Sequence, residues 1–158
     1  MRMMTIASGS SGNCIYIGDE NTHILIDAGV SKKAIEEGLK TVDLSGGDID
    51  GIFITHEHSD HIKGLGVMAR KYAIPMYGTK ETIDYIKGVS SLGKVDEELF
   101  RTINPDGSLM VNTLTLKPFQ ISHDAANPVA YRVESGNKAV AVATDLGEYT
   151  EYTIKNLK

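Results

Sequence analysis

The chain has 158 residues, enough for one domain with its own hydrophobic core. Hydrophobic residues make up 41% and charged residues 23%, a composition that excludes a disordered or fibrous protein. The formal net charge of -5 excludes a globally basic surface, so any contact with a polyanion must be local. Cys14 is the single cysteine, which excludes an intrachain disulfide and fits a reducing compartment.

The elements follow from short apolar runs, which predict strands, and from apolar residues at helical spacing, which predict helices. In the first part of the chain we expect strands over 3–7, 14–17 and 23–26, a helix over 32–40, a strand over 51–54, a helix over 61–72, a strand over 74–77 and a helix over 79–87. Ser31, Asp60 and Thr79 are the predicted N-caps of the three helices. Residues 18–22 have the composition of a hairpin turn.

The second part of the chain changes to strands. We expect them over 114–116, 119–121, 129–133 and 139–143, followed by a short helix over 149–158, and we assign no element to 88–100. Strands interleaved with helices, followed by a run of strands, predict a layered α/β or α+β domain over 1–158. No window is long and apolar enough for a signal peptide or a membrane span, so we expect a cytoplasmic protein.

Metal-ligating side chains are concentrated directly after the predicted buried strand 51–54. Residues 56–61 read His-Glu-His-Ser-Asp-His and contain three of the five histidines. Imidazole and carboxylate groups suit zinc, manganese or iron. His56 and His58 would point the same way on extended chain, while Asp60 and His61 turn the corner towards a possible second ion about 3.5 to 4 Å away. The alternative is a histidine-rich turn that only caps a helix.

The stretch 55–61, Thr-His-Glu-His-Ser-Asp-His, resembles the His-x-His-x-Asp-His signature of the metallo-β-lactamase superfamily. Asp27 in Leu-Ile-Asp-Ala-Gly, His123 in Ile-Ser-His-Asp and Asp145 in Ala-Thr-Asp-Leu-Gly follow the order of further superfamily elements. The opening 7–13 and the stretch 55–67 are similar to the YycJ/WalJ-type group of that superfamily. The resemblance covers essentially the whole chain.

The resemblance implies the fold and the ligand set. The fold would be an αββα sandwich of two similar halves. His56, His58 and His123 would bind one divalent ion, Asp60 and His61 a second, and Asp145 would bridge them. Asp27 would lie beneath the site and orient the histidine loop, although a turn former at a strand end is the alternative.

The chain departs from the superfamily pattern after His123, because no histidine follows it to complete the second ion. Much of the second half of the sandwich would then be missing, either because the chain is a fragment or because another subunit supplies the rest. We expect His23 to be a strand-edge residue and not the missing ligand. The uncovered sheet would present an apolar face that favours self-association or a missing C-terminal segment.

Two smaller features concern the substrate. The loop 8–13, with Ser10, Ser11 and Asn13, is a candidate for binding a phosphate through backbone N–H groups, unless it is only a turn. Lys63 and Lys71 are candidates for phosphate contacts, unless they are only solvated helix charges.

Three functions stay open at this point. The resemblance implies a metal-dependent phosphodiesterase, an exonuclease acting on DNA ends, in which a hydroxide held between two ions attacks phosphorus and Asp60 orients it. The same ions would equally serve a hydrolase of a small thioester, lactone or β-lactam. The third hypothesis is a non-catalytic metal-binding fragment, because one ligand is missing.

Overall fold

A computed structural model describes residues 1–122 and 124–143 of the chain. The described strands and helices alternate in the first half of the chain and give way to strands in the second, as predicted. They are β1 (Arg2–Ala7), β2 (Cys14–Gly18), β3 (His23–Ile26), α1 (Lys32–Lys40), β4 (Gly51–Phe53), α2 (Ser59–Ile62), α3 (Leu65–Tyr72), β5 (Met76–Gly78), α4 (Lys80–Lys87), β6 (Phe100–Thr102), β7 (Leu109–Val111), β8 (Leu114–Gln120), β9 (Val129–Ser135) and β10 (Lys138–Val142).

The strands form two sheets. The larger has the order β1-β2-β3-β4-β5-β6, antiparallel from β1 to β3 and parallel from β3 to β6. The smaller is antiparallel, with the order β10-β9-β8-β7. The carboxyl ends of β3, β4 and β5 therefore meet at one edge of the large sheet, the position at which α/β sheets place ligand sites.

Alternation along the strands of the large sheet divides the core in two. On β3, Leu25 faces the helices, whereas Ile24 and Ile26 face the small sheet. On β4, Ile52 likewise packs towards the helices and Phe53 towards the small sheet. The continuous apolar run 51–54 is buried on both faces, as predicted. One helical layer and two sheet layers of the expected α/β architecture are thus present.

Two of the three predicted N-caps are confirmed. The side chain of Ser31 accepts a hydrogen bond from Ala34 N, and that of Thr79 accepts one from Thr82 N. The prediction for Asp60 is wrong: His58 is the N-cap residue of α2, and Asp60 lies inside its first turn.

The single helix expected over 61–72 is wrong as well, because the structure has α2 and α3 with a break at Gly64. Gly64 N donates to Ala28 O at 2.7 Å, and a Cβ at Gly64 would lie 2.0 Å from Val30 O. The contact with the irregular segment that follows β3 thus interrupts the helix.

The second half contains longer and additional strands. The runs 114–116 and 119–121 are parts of one strand, β8, which continues through Pro118. Proline is tolerated there because β7 pairs only with Leu114–Leu116, so no β7 partner loses a bond at Pro118. The segment 88–100, left unassigned from sequence, forms 3₁₀ turns at Ser90–Leu92 and Glu97–Leu99 before β6.

The outer face of the small sheet, where an apolar patch was expected, carries both apolar and polar side chains. Phe119 and Ala130 are buried there in a small apolar cluster. Glu134 pairs there with Lys117 at 2.8 Å and with Arg132 at 3.3 Å. Within 1–122 and 124–143, the exposed large apolar side chains lie on four different elements: Met3, Val67, Tyr85 and Met110. The apolar face expected next to a missing part of the sandwich stays a prediction. None of the helices described is long and apolar enough to cross a membrane.

Asp19, in the β2–β3 hairpin, connects the two sheets. Its Oδ1 accepts hydrogen bonds from the backbone N–H groups of Asn21 and Thr22, each at 2.8 Å. Its Oδ2 accepts from Thr113 Oγ1 at 2.6 Å and from Ser135 Oγ at 2.9 Å. Partial burial acts to raise the pKa of Asp19, but these hydrogen bonds outweigh it and lower the pKa to about 2.

We expect Asp19→Asn to destabilise the protein by about 1 to 3 kcal/mol at pH 7, the usual range for hydrogen bonds to a charged group. The pKa of Asp19 is 3.8 in the unfolded chain and about 2 in the folded protein. The carboxylate therefore stabilises the folded protein above pH 3.8, and this stabilisation is lost as the pH falls towards about 2. Urea unfolding of both proteins should therefore show a constant difference above about pH 5 that shrinks between about pH 4 and 2. A difference independent of pH would contradict this role for the carboxylate.

Candidate active site

The candidate ligands lie at the carboxyl edge of the large sheet. Asp27 directly follows β3, and the segment 54–61 runs from the end of β4 into α2. Two contacts from the small sheet fix the end of β4: Tyr131 Oη donates to Ile54 O at 2.7 Å, and Val129 N donates to Thr55 O at 2.9 Å. The histidine-containing segment thus begins from a backbone that is attached to β9 of the small sheet.

Asp27 lies beneath the histidines, 1% exposed, and accepts three hydrogen bonds. Its Oδ1 accepts from Thr55 N at 2.8 Å, and its Oδ2 accepts from Thr55 Oγ1 at 2.7 Å and from His61 Nδ1 at 2.6 Å. The backbone of Asp27 is left-handed, with φ 63°, a conformation that aspartate tolerates better than most residues. Burial raises the pKa of the Asp27 carboxyl, and the hydrogen bonds from His61 and Thr55 act in the opposite direction.

The hydrogen bonds around Asp27 also set the tautomers of two histidines. Because the Asp27 carboxylate accepts, His61 carries its proton on Nδ1, and the lone pair is on Nε2. Thr55 Oγ1 gives its only proton to Asp27, so towards His56 Nδ1, 3.0 Å away, it acts as the acceptor. His56 then also carries its proton on Nδ1. One carboxylate and one hydroxyl therefore present both Nε2 atoms as electron-pair donors.

The three imidazole rings form one cluster. The ring centroids of His56 and His61 are 4.0 Å apart, and those of His56 and His58 are 4.7 Å apart at an interplanar angle of 81°. His56 and His61 are fully buried, and His58 is partly exposed. Asp60 Oδ2 lies 3.5 Å from His61 Nε2. The four motif residues thus come together around a partly open surface.

The loop 8–13 is connected to this cluster through Asn13. Asn13 N donates to Asp60 O at 2.7 Å, and Asn13 Nδ2 lies 3.2 Å from Asp60 Oδ2 and 3.3 Å from His61 Nε2. Of the three loop residues predicted to bind substrate, the structure brings Asn13 to the site. Ser10 and Ser11 are exposed in the turn before it.

Gly29 explains how the loop comes so close. Gly29 N donates to Asn13 O at 2.8 Å, and a Cβ at Gly29 would lie 1.8 Å from Asp60 O. The strand end, the loop and α2 can meet only because this position has no side chain.

Glu57, the residue between the first two histidines, attaches the segment 124–128 to the site. It is 8% exposed, and its Oε2 accepts from Ala126 N at 2.9 Å. Thr79 Oγ1 donates to Asn127 O at 3.1 Å on the other side of the segment. The backbone next to position 123 is therefore held against both β4 and α4.

Two predicted ligands, His123 and Asp145, lie outside the described residues. Within 1–122 and 124–143, no three His, Cys, Asp or Glu side chains are already grouped closely enough to hold an ion. The donor chemistry nevertheless fits a metal, because His56 and His61 present Nε2 lone pairs close to His58 and to the Asp60 carboxylate. His23 contacts Tyr16 Oη at 2.7 Å, at the opposite end of β3 from Asp27.

Sequence reasoning did not assign roles to Thr55 or Glu57. Thr55 is fully buried and joins Asp27 to His56, and its position directly before the first histidine was the available signal. The only signal for Glu57 was its charge within the motif. Its hydrogen bond to Ala126 joins residues that are 69 positions apart. Local spacing does not reveal a partner at that distance.

Comparison with known proteins assigns this chain to a family. Residues 22–158 match the family described as the beta-lactamase superfamily domain. The exodeoxyribonuclease YycJ of Bacillus anthracis is 37% identical over 147 residues, which cover 93% of this chain and 55% of that protein. The exodeoxyribonuclease WalJ of Streptococcus pneumoniae serotype 2 (strain D39 / NCTC 7466) is 38% identical over 142 residues, 90% of this chain and 53% of that protein. The chain spans about half the length of these relatives.

The fold agrees with that assignment. The solved structure of the Rm3 metallo-β-lactamase superposes with a TM-score of 0.73 over 98% of this chain and 68% of that protein, at 16% sequence identity. At that identity the likeness shows the fold alone, which is the metallo-β-lactamase fold that the sequence predicted. Since the family match covers most of the residues, the chain belongs to the beta-lactamase superfamily domain family.

Proposed function

We propose that this chain is a metal-dependent phosphodiesterase that degrades DNA from its ends. The observation that carries the proposal is the hydrogen-bond network in which Asp27 and Thr55 present the Nε2 atoms of His56 and His61 at the edge of the sheet. That network supports a metal centre. The names of the 37% and 38% identical relatives, both exodeoxyribonucleases, support DNA as the substrate.

The residues proposed to hold two divalent ions are those of the histidine motif and its two later partners. We assign His56, His58 and His123 to one ion, Asp60 and His61 to the other, and Asp145 to both. Zinc and manganese are the candidates that suit these ligands, with iron a third. When bound, such ions activate water for in-line attack on phosphorus and neutralise the charge that develops on the phosphate oxygens.

The protein's own groups have defined tasks in this proposal. Asp27 and Thr55 hold the imidazoles of His56 and His61 in one tautomer and orientation before an ion binds. Asn13 Nδ2 donates to Oδ2 of Asp60, and the Asp60 carboxylate would orient the water that the ions activate when bound. Lys63 is exposed and lines the same groove as Asp60, where it supplies positive charge to a chain whose net charge is negative. Lys71 instead pairs with Glu36 at 3.2 Å.

The direct test of the proposal is cleavage of end-labelled DNA with and without Zn²⁺ or Mn²⁺. We expect the wild-type chain to release labelled nucleotides only with metal, and Asp60→Ala to abolish this release, because both an ion ligand and the water-orienting group are removed. Glu98→Ala, which removes an exposed carboxylate from the turn Glu97–Leu99, is the matched control and should retain activity.

Two outcomes would contradict the proposal. Metal-dependent hydrolysis of a thioester, lactone or β-lactam without cleavage of DNA would identify a small-molecule hydrolase. Tight metal binding without hydrolysis of any of these substrates would identify a binding fragment.

Thr55→Val separates the network from the ligands themselves, because it removes a buried hydroxyl and changes no proposed ligand. We expect metal affinity to fall by about 10- to 100-fold, the usual effect of losing a group that orients a ligand. Stability should fall by about 1 to 3 kcal/mol, because a buried partner of Asp27 and His56 is lost. Isothermal titration with Zn²⁺ and urea unfolding measure the two effects.

Thr102→Val, on the exposed part of β6, is the control for the same chemical change and should leave both quantities unchanged. Unaltered affinity in Thr55→Val would show that the hydroxyl does not orient His56.

Metal stoichiometry tests the number of ions. We expect two equivalents per chain by plasma mass spectrometry, because the ligands assigned above are divided between two ions. A single equivalent in the presence of excess metal would contradict a centre with two ions.

A further inference from the structure

A groove of about 660 Å³ extends from the candidate metal ligands along the helical side of the domain. His58 and Asp60 line this groove, and so does Tyr85 on α4. The volume lies within the range of about 300 to 1,000 Å³ that is usual for small-molecule sites. The groove is thus large enough to hold a substrate unit next to the metal centre.

Tyr85 is unusual among the aromatic residues described. It is 57% exposed, whereas Tyr16, Tyr77 and Tyr131 are buried in the core. An exposed aromatic ring in a groove offers a π-face to a ligand at little conformational cost, and nucleic-acid bases stack on such rings.

The remaining groups of the groove divide into apolar and polar sets. Ile62, Val89 and Leu92 supply apolar wall, and Lys63, Ser59 and Ser91 supply one cation and two hydroxyl groups. Apart from Lys63 and the motif residues Glu57, His58 and Asp60, the lining residues carry no charge at neutral pH. A flat, neutral, partly apolar group close to a phosphate matches this distribution, and the base of a nucleotide has that chemistry.

The part of the wall formed by Ser91 and Leu92 is held in place by the fold. Arg70 Nη1 donates to Leu92 O at 2.8 Å and to Lys94 O at 3.1 Å, which fixes the turn Ser90–Leu92. Gly66 allows this turn to approach α3, because a Cβ there would lie 2.0 Å from Leu92 O. The groove is therefore built before any ligand arrives, and little ordering cost is left for binding.

The groove contains an exposed aromatic ring and the proposed metal ligands His58 and Asp60. We infer that Tyr85 stacks on a base at the DNA end, and that the phosphate of this end lies at His58 and Asp60. Lys63 then contacts the adjoining DNA backbone. The inference rests on the proposed function and specifies how that site takes its substrate. Recognition of a base plane makes the site tolerant of sequence, because every base has a π-face.

The test is binding of a short single-stranded DNA with phosphorothioate linkages, which resist cleavage, in the presence of Mn²⁺. We expect Tyr85→Ala to weaken binding by about 5- to 100-fold, the range found for base stacking, and Tyr85→Phe to bind within about twofold of wild type. Met110→Ala, which removes an exposed apolar side chain from β7, is the matched control and should leave affinity unchanged. Tyr85 is exposed, so all of these proteins should keep wild-type thermal stability.

Strands that lack one base identify the contact. Three strands each carry one abasic residue, at the first, second or third position from the end. Tyr85→Ala should not weaken binding of the one strand that lacks the stacked base, because removing the ring and removing the base abolish the same contact. An equal effect of Tyr85→Ala on all strands, or no effect on any, would overturn the inference.

Cleavage of end-labelled DNA by the same proteins distinguishes the two proposals. If wild type cleaves and binds DNA while Tyr85→Ala does so equally well, the stacking role is wrong and the proposed function stands. If wild type neither binds nor cleaves DNA, both are overturned.

Discussion

The site depends on one buried carboxylate. Asp27 has lost almost all contact with water, and a carboxylate in that position is stable only when donors surround it. The donors are the backbone N–H and hydroxyl of Thr55 and the imidazole of His61, so the requirement that stabilises Asp27 also fixes the histidine segment. The left-handed backbone of Asp27 is tolerated because the same hydrogen bonds hold it there.

The fold supplies the two strand ends that this carboxylate joins. β3 and β4 are neighbouring parallel strands, so Asp27 and Thr55 emerge at the same edge although they are 28 positions apart. The small sheet then closes the edge from below through Tyr131 and Val129, and the glycine at position 29 lets Asn13 and α2 approach from the side. Core packing, backbone hydrogen bonds and the absence of one side chain all place the same few atoms.

The groove shows how the same elements can serve two purposes. The break between α2 and α3 and the turn after α4 are irregular for reasons of packing, at Gly64 and Gly66. Residues of these irregular segments, among them Lys63 and Leu92, line the groove next to the histidines together with the helical residues Ile62 and Tyr85. The rigid sheet edge thus holds the proposed reactive groups, and the helix ends and turns shape the surface that a substrate would meet.

The sequence by itself determined the α/β class, most strands and helices of the first half, the caps at Ser31 and Thr79, and the histidine motif, because each is written in local spacing and side-chain chemistry. Element boundaries were predicted wrongly where residues far away in sequence decide them. The hydrogen bond from Gly64 to Ala28 divides the predicted helix, and β8 continues through Pro118 because β7 does not pair with that part of it. Only the tertiary structure decided three further features. They are the contacts of Thr55 with Asp27 and His56, the hydrogen bond from Ala126 to Glu57, and the position of Tyr85 on the wall of a groove. Each depends on residues that are far apart in sequence or on the space between elements, and only the packed chain brings these together.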